Sequence, residues 1–348
     1  MTGPETGETP ARARQIRLAR APRERLSPDD FLVHEHVVPE LRPGQFLVRN
    51  TWLSVDASTM LRIGGNSGDY LAPLQPGAPI EGWAVGRVAT THSPSWNVGD
   101  RVLHNHGWRD HTLFDDSDSG WGMPERLPYD GHPDHAYVGA LGPTGLTAWA
   151  GLVEVAALSE GDVVFVSAAA GAVGSLAVQL AVSRGHRVIA SAGSADKLAT
   201  LRALGVDVAL NYKDGPLNEQ LKDAAPDGID VYFDNVGGDH LEAALDSLRV
   251  GGRVALCGAV SSYGPGGTAT GPSNLFNATA KGLSLRGFLA RMYAGQSVDS
   301  RRELGNLMSI GRLKLPLYVA HGLDQAPQAL LDLMAGRNTG KVVVRLQD

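Results

Sequence analysis

Gly171 and Gly174 sit where an apolar run, Val163-Val164-Phe165-Val166, passes through Ser167-Ala168-Ala169-Ala170 into a helical pattern. A strand, a tight turn of small residues and a helix in that order can hold the pyrophosphate of a dinucleotide. The unpaired N–H groups at the helix start and the positive end of its dipole attract the anion. Gly171 would let the backbone close on the phosphates, and Gly174 would let the helix pack against its strand. Ala169 takes the place of the first glycine in the G-x-G-x-x-G fingerprint, so the pattern is a variant. Val173, Leu176, Ala177, Leu180 and Ala181 then follow at helical spacing and give the helix one apolar face. By itself, a glycine turn of this kind also serves as an ordinary strand–helix connection.

The second strand points to the type of dinucleotide. A site for NAD places Asp or Glu about twenty residues past the glycines, where it binds the ribose 2′-hydroxyl. Here the strand Val188-Ile189-Ala190-Ser191 ends without an acid and runs into Ala192-Gly193-Ser194, with Lys197 in the first turn of the following helix. No carboxylate repels a 2′-phosphate, Gly193 and Ser194 can donate hydrogen bonds to it, and Lys197 brings a charge. The expected coenzyme is NADP(H). A solvated helix lysine is the plain alternative for Lys197.

Metal chemistry has little to build on. His104, His106 and His111 fall within one short stretch, but the chain has a single cysteine, Cys257, placed deep in the second half. Catalytic and structural zinc sites draw on Cys, His and acidic ligands in larger sets. A single cysteine also precludes an intrachain disulfide and suits a reducing cytosol.

The elements that must position these residues change character near residue 140. Before it come short strand-like runs, Phe46–Asn50, Trp83–Val88 and Arg101–Leu103, each close to Gly, Pro or Asp, as in a β-rich barrel. Ile16 and Leu18 alternate with polar residues like a first edge strand, and residues 1 to about 10 read as a loose tail. From residue 160 on, strands at Val163–Ser167, Arg187–Ser191, Val206–Leu210, Val231–Asp234, Arg253–Cys257 and Leu283–Phe288 alternate with helical patterns near 174–184, 195–204, 217–225 and 239–249. Short apolar strands between helices imply a parallel sheet covered on both faces, and a phosphate turn after the first makes it a Rossmann domain. The tail, Leu313–Asp348, adds a helix (Ala326–Met334) and a strand (Lys341–Leu346) that form either a further α/β unit or a return to the first domain.

Composition sets the bounds. The chain of 348 residues is long enough for two domains, and its formal charge of −6 leaves no basic footprint for nucleic acid. No apolar run is long enough to cross a membrane, and a cytoplasmic location is expected.

Further segments share a pattern. They are Gly142–Trp149, Asn211-Tyr212-Lys213, Tyr232-Phe233-Asp234-Asn235-Val236-Gly237-Gly238, Cys257–Tyr263 and Asn338-Thr339-Gly340-Lys341. Together they resemble the zinc-independent medium-chain dehydrogenase/reductases, within them the leukotriene B4 dehydrogenase/prostaglandin reductase and alkenal double-bond reductase group. The resemblance is tight from about 140 to 265 and looser before, and the YFDNVGG run is its most specific marker. It implies a GroES-like β-rich catalytic domain over 1–139, completed by 313–348, and a Rossmann domain over 140–312. It also implies homodimers that use NADPH to reduce the C=C bond of small α,β-unsaturated carbonyl compounds.

Residue by residue, the resemblance implies that Gly171, Ala172, Val173 and Gly174 hold the pyrophosphate. Lys197 and Tyr212, beside Ser194, hold the 2′-phosphate end. Asn235 and the Cys257-Gly258-Ala259-Val260-Ser261-Ser262-Tyr263 loop line the nicotinamide side, Phe288 and Leu289 continue that pocket, and Asn338 reaches back from the tail. Without a metal, the enolate formed by hydride addition needs a hydrogen-bond donor, and Tyr263 is the side chain expected to supply it. The family's D-P-Y-M-R motif reads Asp56-Ala57-Ser58-Thr59-Met60-Leu61-Arg62 here, without the proline and tyrosine. Asp56, Met60, His111 and Tyr263 are the substrate-pocket candidates. A quinone or carbonyl reductase, or an NADPH-binding sensor with little turnover, are the other functions this scaffold admits.

Overall fold

A computed structural model describes residues 10–22, 26–64, 72–263 and 271–346. The loose N-terminal tail expected from the sequence lies, up to residue 9, outside them. A two-stranded ribbon of β1 (Arg12–Leu18) and β2 (Phe31–Val37) precedes the first large sheet. That sheet contains β3 (Gln45–Ser54), β4 (Ala84–Thr91), β5 (Arg101–His104), β6 (His111–Asp115) and β7 (Glu125–Arg126). The second half supplies β8 (Val163–Val166), β9 (Arg187–Ala192), β10 (Val208–Asn211), β11 (Ile229–Asp234), β12 (Leu248–Leu256) and β13 (Ser284–Gly287). The tail adds β14 (Leu317–His321) and β15 (Lys341–Arg345).

Strands β8 to β13 form one parallel sheet in the order β10-β9-β8-β11-β12-β13. This is the doubly wound order of a dinucleotide-binding domain, with the strand order reversing beside β8. All four residues of β8 are buried because both of its faces are covered. Val164 and Val166 point into one apolar cluster and Val163 and Phe165 into another. Each such side chain contributes roughly 1.5–3 kcal/mol on burial. The helix Ala172–Ser183 lies on the first of these faces, with Leu176, Ala177, Val178, Leu180 and Ala181 fully buried.

The tail returns to the first sheet. Strand β15 runs parallel to β14 and antiparallel to β3, with Val343 opposite Ser54 and Val344 opposite Leu53. The helix Ala326–Met334 packs Ala326, Ala329 and Leu330 into the same core as Ile16, Leu53, Met60 and Trp108. On its way the tail crosses the phosphate turn, where Gly340 N–H donates to the Ala170 carbonyl at 2.7 Å.

Several local bounds shift. The strand expected over Val206–Leu210 begins at Val208, because Val206 N–H still bonds to the Leu201 carbonyl at the helix exit. The strand expected to reach Cys257 stops at Leu256, because Cys257 N–H turns across to the Asp234 carbonyl. The segment Asp56–Arg62, which departs from the family motif, runs into the short helix Thr59–Ile63, which buries Met60 and Ile63. Among the described residues, no helix is long and apolar enough to cross a membrane.

Candidate active site

A cleft of about 830 Å³ opens at the carboxyl ends of the parallel strands, beside the point where the sheet order reverses. Its floor is the turn after β8. Ala168 takes the left-handed backbone there (φ 45°), so the strained position lies one residue before the alanine that replaces the first glycine. Gly171 begins the helix with extended backbone, and the first intrahelical bond runs from Ser175 N–H to its carbonyl. The N–H groups of Ala172, Val173 and Gly174 belong to the turn that an α-helix leaves without internal partners. Gly174 has no room for a side chain, since a Cβ would lie 2.5 Å from the Ala168 carbonyl oxygen. At Gly171 a Cβ would lie 3.1 Å from the same oxygen.

The rim after β9 carries the cationic end of the cleft. Ser194 caps the helix Ala195–Ala203 by accepting from Lys197 N–H. The Lys197 ammonium donates to the Gly336 carbonyl at 2.7 Å, which ties this helix to the tail. Burial and the neighbouring Lys213 both hold Lys197 below its ordinary range. Lys213 also lines the cleft, its ammonium 5.7 Å from the centre of the Tyr212 ring. Tyr212 stacks edge-on against His240 and leaves no space above Gly193, where a Cβ would lie 2.7 Å from its hydroxyl. Two ammoniums and a phenol around an acid-free strand end suit a phosphate monoester.

The opposite end is built on the ends of β8 and β11. Asp234 is buried and its Oδ1 accepts from Val236 N–H, Gly237 N–H and the Tyr232 hydroxyl. Burial raises its carboxyl pKa despite these bonds, and burial beside that carboxylate drives the Tyr232 phenol well upward. Ser167 joins the network, its hydroxyl donating to the Tyr232 oxygen at 2.9 Å while it accepts from Asn235 N–H at 3.0 Å. The Asn235 side chain donates to the Ser167 carbonyl at 2.8 Å.

The loop after β12 hangs from the same strand end. Cys257 and Gly258 N–H both reach the Asp234 carbonyl, Val260 N–H reaches that of Asn235, and the Ser262 hydroxyl folds back to Ala259. Burial and the Asp234 charge push the Cys257 thiol up to about 12, so it stays protonated near neutral pH. The Tyr263 hydroxyl accepts from Ala259 N–H at 3.2 Å, and its ring packs against the barrel core that contains Met60.

The remaining candidates divide. The Asn338 amide donates to the Gly340 carbonyl at 2.9 Å and lines the cleft. Phe288 instead packs into the core of the nucleotide domain against Phe233 and Tyr293, with Leu289 half-buried beside it. Asp56 accepts from Lys341 Nζ at 3.0 Å and from the Ser54 hydroxyl. His111 stands opposite Arg49, in the middle of β3, and lines a shallow depression with Arg87 and Val98. Asp56 follows the far end of that strand, so His111 does not join Asp56, Met60 and Tyr263.

His104, His106 and His111 are each held by protein partners. His104 is wholly buried, its Nε2 2.8 Å from the Asn50 side-chain oxygen, and burial drives its pKa well down. His106 N–H donates to His104 Nδ1, and the His111 ring pairs with Asp110. The neighbouring Gly107-Trp108 turn is structural, with the buried indole donating to the Ser54 carbonyl. Among the described residues, no three His, Cys, Asp or Glu side chains are placed to share a metal ion.

Sequence reasoning missed Lys213, His240, Gly336 and Lys341. Lys213 had a legible signal, a second lysine directly after Tyr212. The others reach the site only through chain crossings that no local pattern records.

Residues 172–307 match the zinc-binding dehydrogenase family profile and residues 14–120 that of the N-terminal domain of oxidoreductase. The NADP(+)-dependent 2-alkenal reductase of Nicotiana tabacum is 38% identical over 300 residues, 86% of each chain. The NADPH-dependent curcumin reductase of Escherichia coli (strain K12) is 34% identical over 346 residues, 98% of this chain and 99% of the relative. The crystal structure of CurA from Vibrio vulnificus in complex with NADPH superposes with a TM-score of 0.89. It is 29% identical and the match covers 96% of this chain and 99% of that one.

Proposed function

Because the chain belongs to the zinc-independent medium-chain dehydrogenase/reductases, we propose that it reduces the C=C bond of a small α,β-unsaturated carbonyl compound with NADPH. The observation that carries the coenzyme assignment is the cleft itself. An open helix N-terminus forms its floor, and Lys197, Lys213 and Tyr212 meet at an acid-free strand end. Relatives named for NADPH-dependent reduction of alkenals and curcumin support the same assignment.

NADPH supplies a hydride from its nicotinamide. The chain's own residues hold and orient it: Gly171 to Gly174 at the pyrophosphate, Ser194, Lys197, Tyr212 and Lys213 at the 2′-phosphate, and Asn235 with the Cys257–Tyr263 loop toward the reacting end. Hydride addition to the β-carbon of an enone leaves negative charge on the carbonyl oxygen. A donor aimed at that oxygen stabilises the charge as it develops. Tyr263 takes this role. Its hydroxyl accepts a hydrogen bond from Ala259 N–H, which strengthens it as a donor in turn. A proton from Tyr263 or from water then adds to the α-carbon and completes the saturated carbonyl product. The barrel, 1–139 with 313–348, then supplies the substrate side, with Met60 buried in its core and not lining a pocket, and 140–312 holds the coenzyme. His111 stays outside this pocket.

The same reading carries a cytoplasmic location and a homodimer. Among the described residues, strand β13 ends the six-stranded sheet with an open edge where a second copy can pair.

The test mixes the protein with NADPH or NADH and a panel of enones, alkenals, quinones and simple ketones, and identifies the products. Saturated carbonyl compounds with a strong preference for NADPH are expected. Alcohols or hydroquinones would replace this reading by a carbonyl or quinone reductase. Tight NADPH binding without turnover across the panel would make the protein a coenzyme sensor.

A further inference from the structure

Lys341 is the only lysine among the described residues that is wholly buried. It does not line the coenzyme cleft. Its three ammonium hydrogens meet three acceptors, the Val55 carbonyl, Asp56 Oδ1 and the Val342 carbonyl, each at 3.0 Å. Asp56 is further fixed by the Ser54 hydroxyl. A complete acceptor set is what a buried ammonium requires.

The two ends of this contact lead to different halves of the site. The residue before Lys341, Gly340, is bonded to Ala170 in the phosphate turn and bridges Gly171. There is no slack at that point, since Gly340 has φ 76° and a Cβ on it would lie 2.1 Å from the Pro316 carbonyl oxygen. Asp56, at the other end, accepts Thr59 N–H through its carbonyl and so starts the helix Thr59–Ile63. Met60 on that helix lies in the barrel core on which Tyr263 packs. Two adjacent tail residues thus connect the turn under the pyrophosphate to the helix behind the reacting end.

We propose that Asp56 and Lys341 are positioning residues that couple the phosphate turn to the barrel helix Thr59–Ile63 and set the substrate side in register with bound NADPH. The proposal rests on the reductase reading for its kinetic consequence, but the coupling itself can be measured without a substrate. Asp56 is therefore part of this clamp and does not bind substrate through its carboxylate. Hydride transfer is sensitive to ångström displacements between the reacting partners, which gives such a clamp catalytic weight.

The experiment is backbone hydrogen–deuterium exchange of the full chain with and without NADPH, on the wild type, Asp56→Asn and Lys341→Met. In the wild type, NADPH is expected to slow exchange both in 168–175 and in 55–63. In each variant, protection of 168–175 should persist and the NADPH-dependent protection of 55–63 should fall at least several-fold. Protection of 55–63 that survives in both variants overturns the proposal, because it would come from direct contact with NADPH. Should Lys341→Met fail to fold, the half-exposed Asp56→Asn alone decides. With an acceptor that the wild type reduces, single-turnover hydride transfer should fall about tenfold or more, while the NADPH dissociation constant changes less than about twofold. A parallel loss of affinity and rate would overturn the positioning role and leave a structural one. If the wild type reduces no acceptor, the reductase reading fails while the exchange result still stands or falls separately.

Discussion

At the scale of single residues, the proposed chemistry turns on Tyr263. Its hydroxyl is fixed by Ala259 N–H, its ring by the barrel core, and the loop that carries it by the Asp234 carbonyl. A donor so placed is effective because little reorganisation is needed as charge develops. Tyr263→Phe is expected to slow the single-turnover hydride step about a hundredfold, the usual cost of losing one oxyanion donor, with NADPH affinity almost unchanged. Stopped-flow absorbance measures both quantities, and an unaltered step rate would remove Tyr263 from the mechanism. Residue types made Tyr263, Lys197 and Asn338 visible in the sequence. They equally suggested His111 and Phe288, which the fold places against Arg49 and within an aromatic core.

At the scale of elements, the strand–turn–helix from Val163 to Ser183 is the best-specified unit. Its apolar strand, glycine spacing and helical period agree, and the expected helix start differs from the observed one by two residues. Gly174 carries the close approach. Adding one methyl there sets a Cβ 2.5 Å from a backbone oxygen that cannot swing away. Gly174→Ala is expected to destabilise the protein by about 1–3 kcal/mol and to weaken NADPH binding, as read by denaturant unfolding and by nicotinamide fluorescence. Wild-type stability and affinity in this variant would mean that the turn does not hold the pyrophosphate. The helix Thr59–Ile63 shows the opposite case. Five residues have too short a period to be read, and only the barrel core around Met60 and Ile63 makes them helical.

At the scale of the whole molecule, burial of histidines sets the acid limit of stability. His240 is buried against Tyr212, and burial lowers its pKa from 6.5 to about 4, with only the Asp239 carboxylate opposing. His104 is shifted in the same direction by burial. The folded state therefore holds these rings neutral while the unfolded chain binds protons first. The His240 contribution is present above about pH 6.5 and is lost as the pH falls toward about 4, up to about 3 kcal/mol in all. Unfolding free energy of the coenzyme-free protein should decline over that window, and His240→Gln should flatten the decline without abolishing it, because His104 remains. An unchanged pH slope in the variant would show that His240 is not held neutral.

The sequence by itself determined the parallel sheet and its phosphate turn, the preference for a 2′-phosphate and the family. Each of these rests on neighbouring residues, whose apolar period, missing acid or fixed motif is local physics. The tertiary structure decided how the halves meet. Asp56 and Lys341 are 285 positions apart and find each other only because β15 returns to β3. Lys197, Lys213 and the Gly336 carbonyl likewise meet through separate elements. Contacts of that kind follow from sheet closure and chain return, which no spacing along the chain encodes.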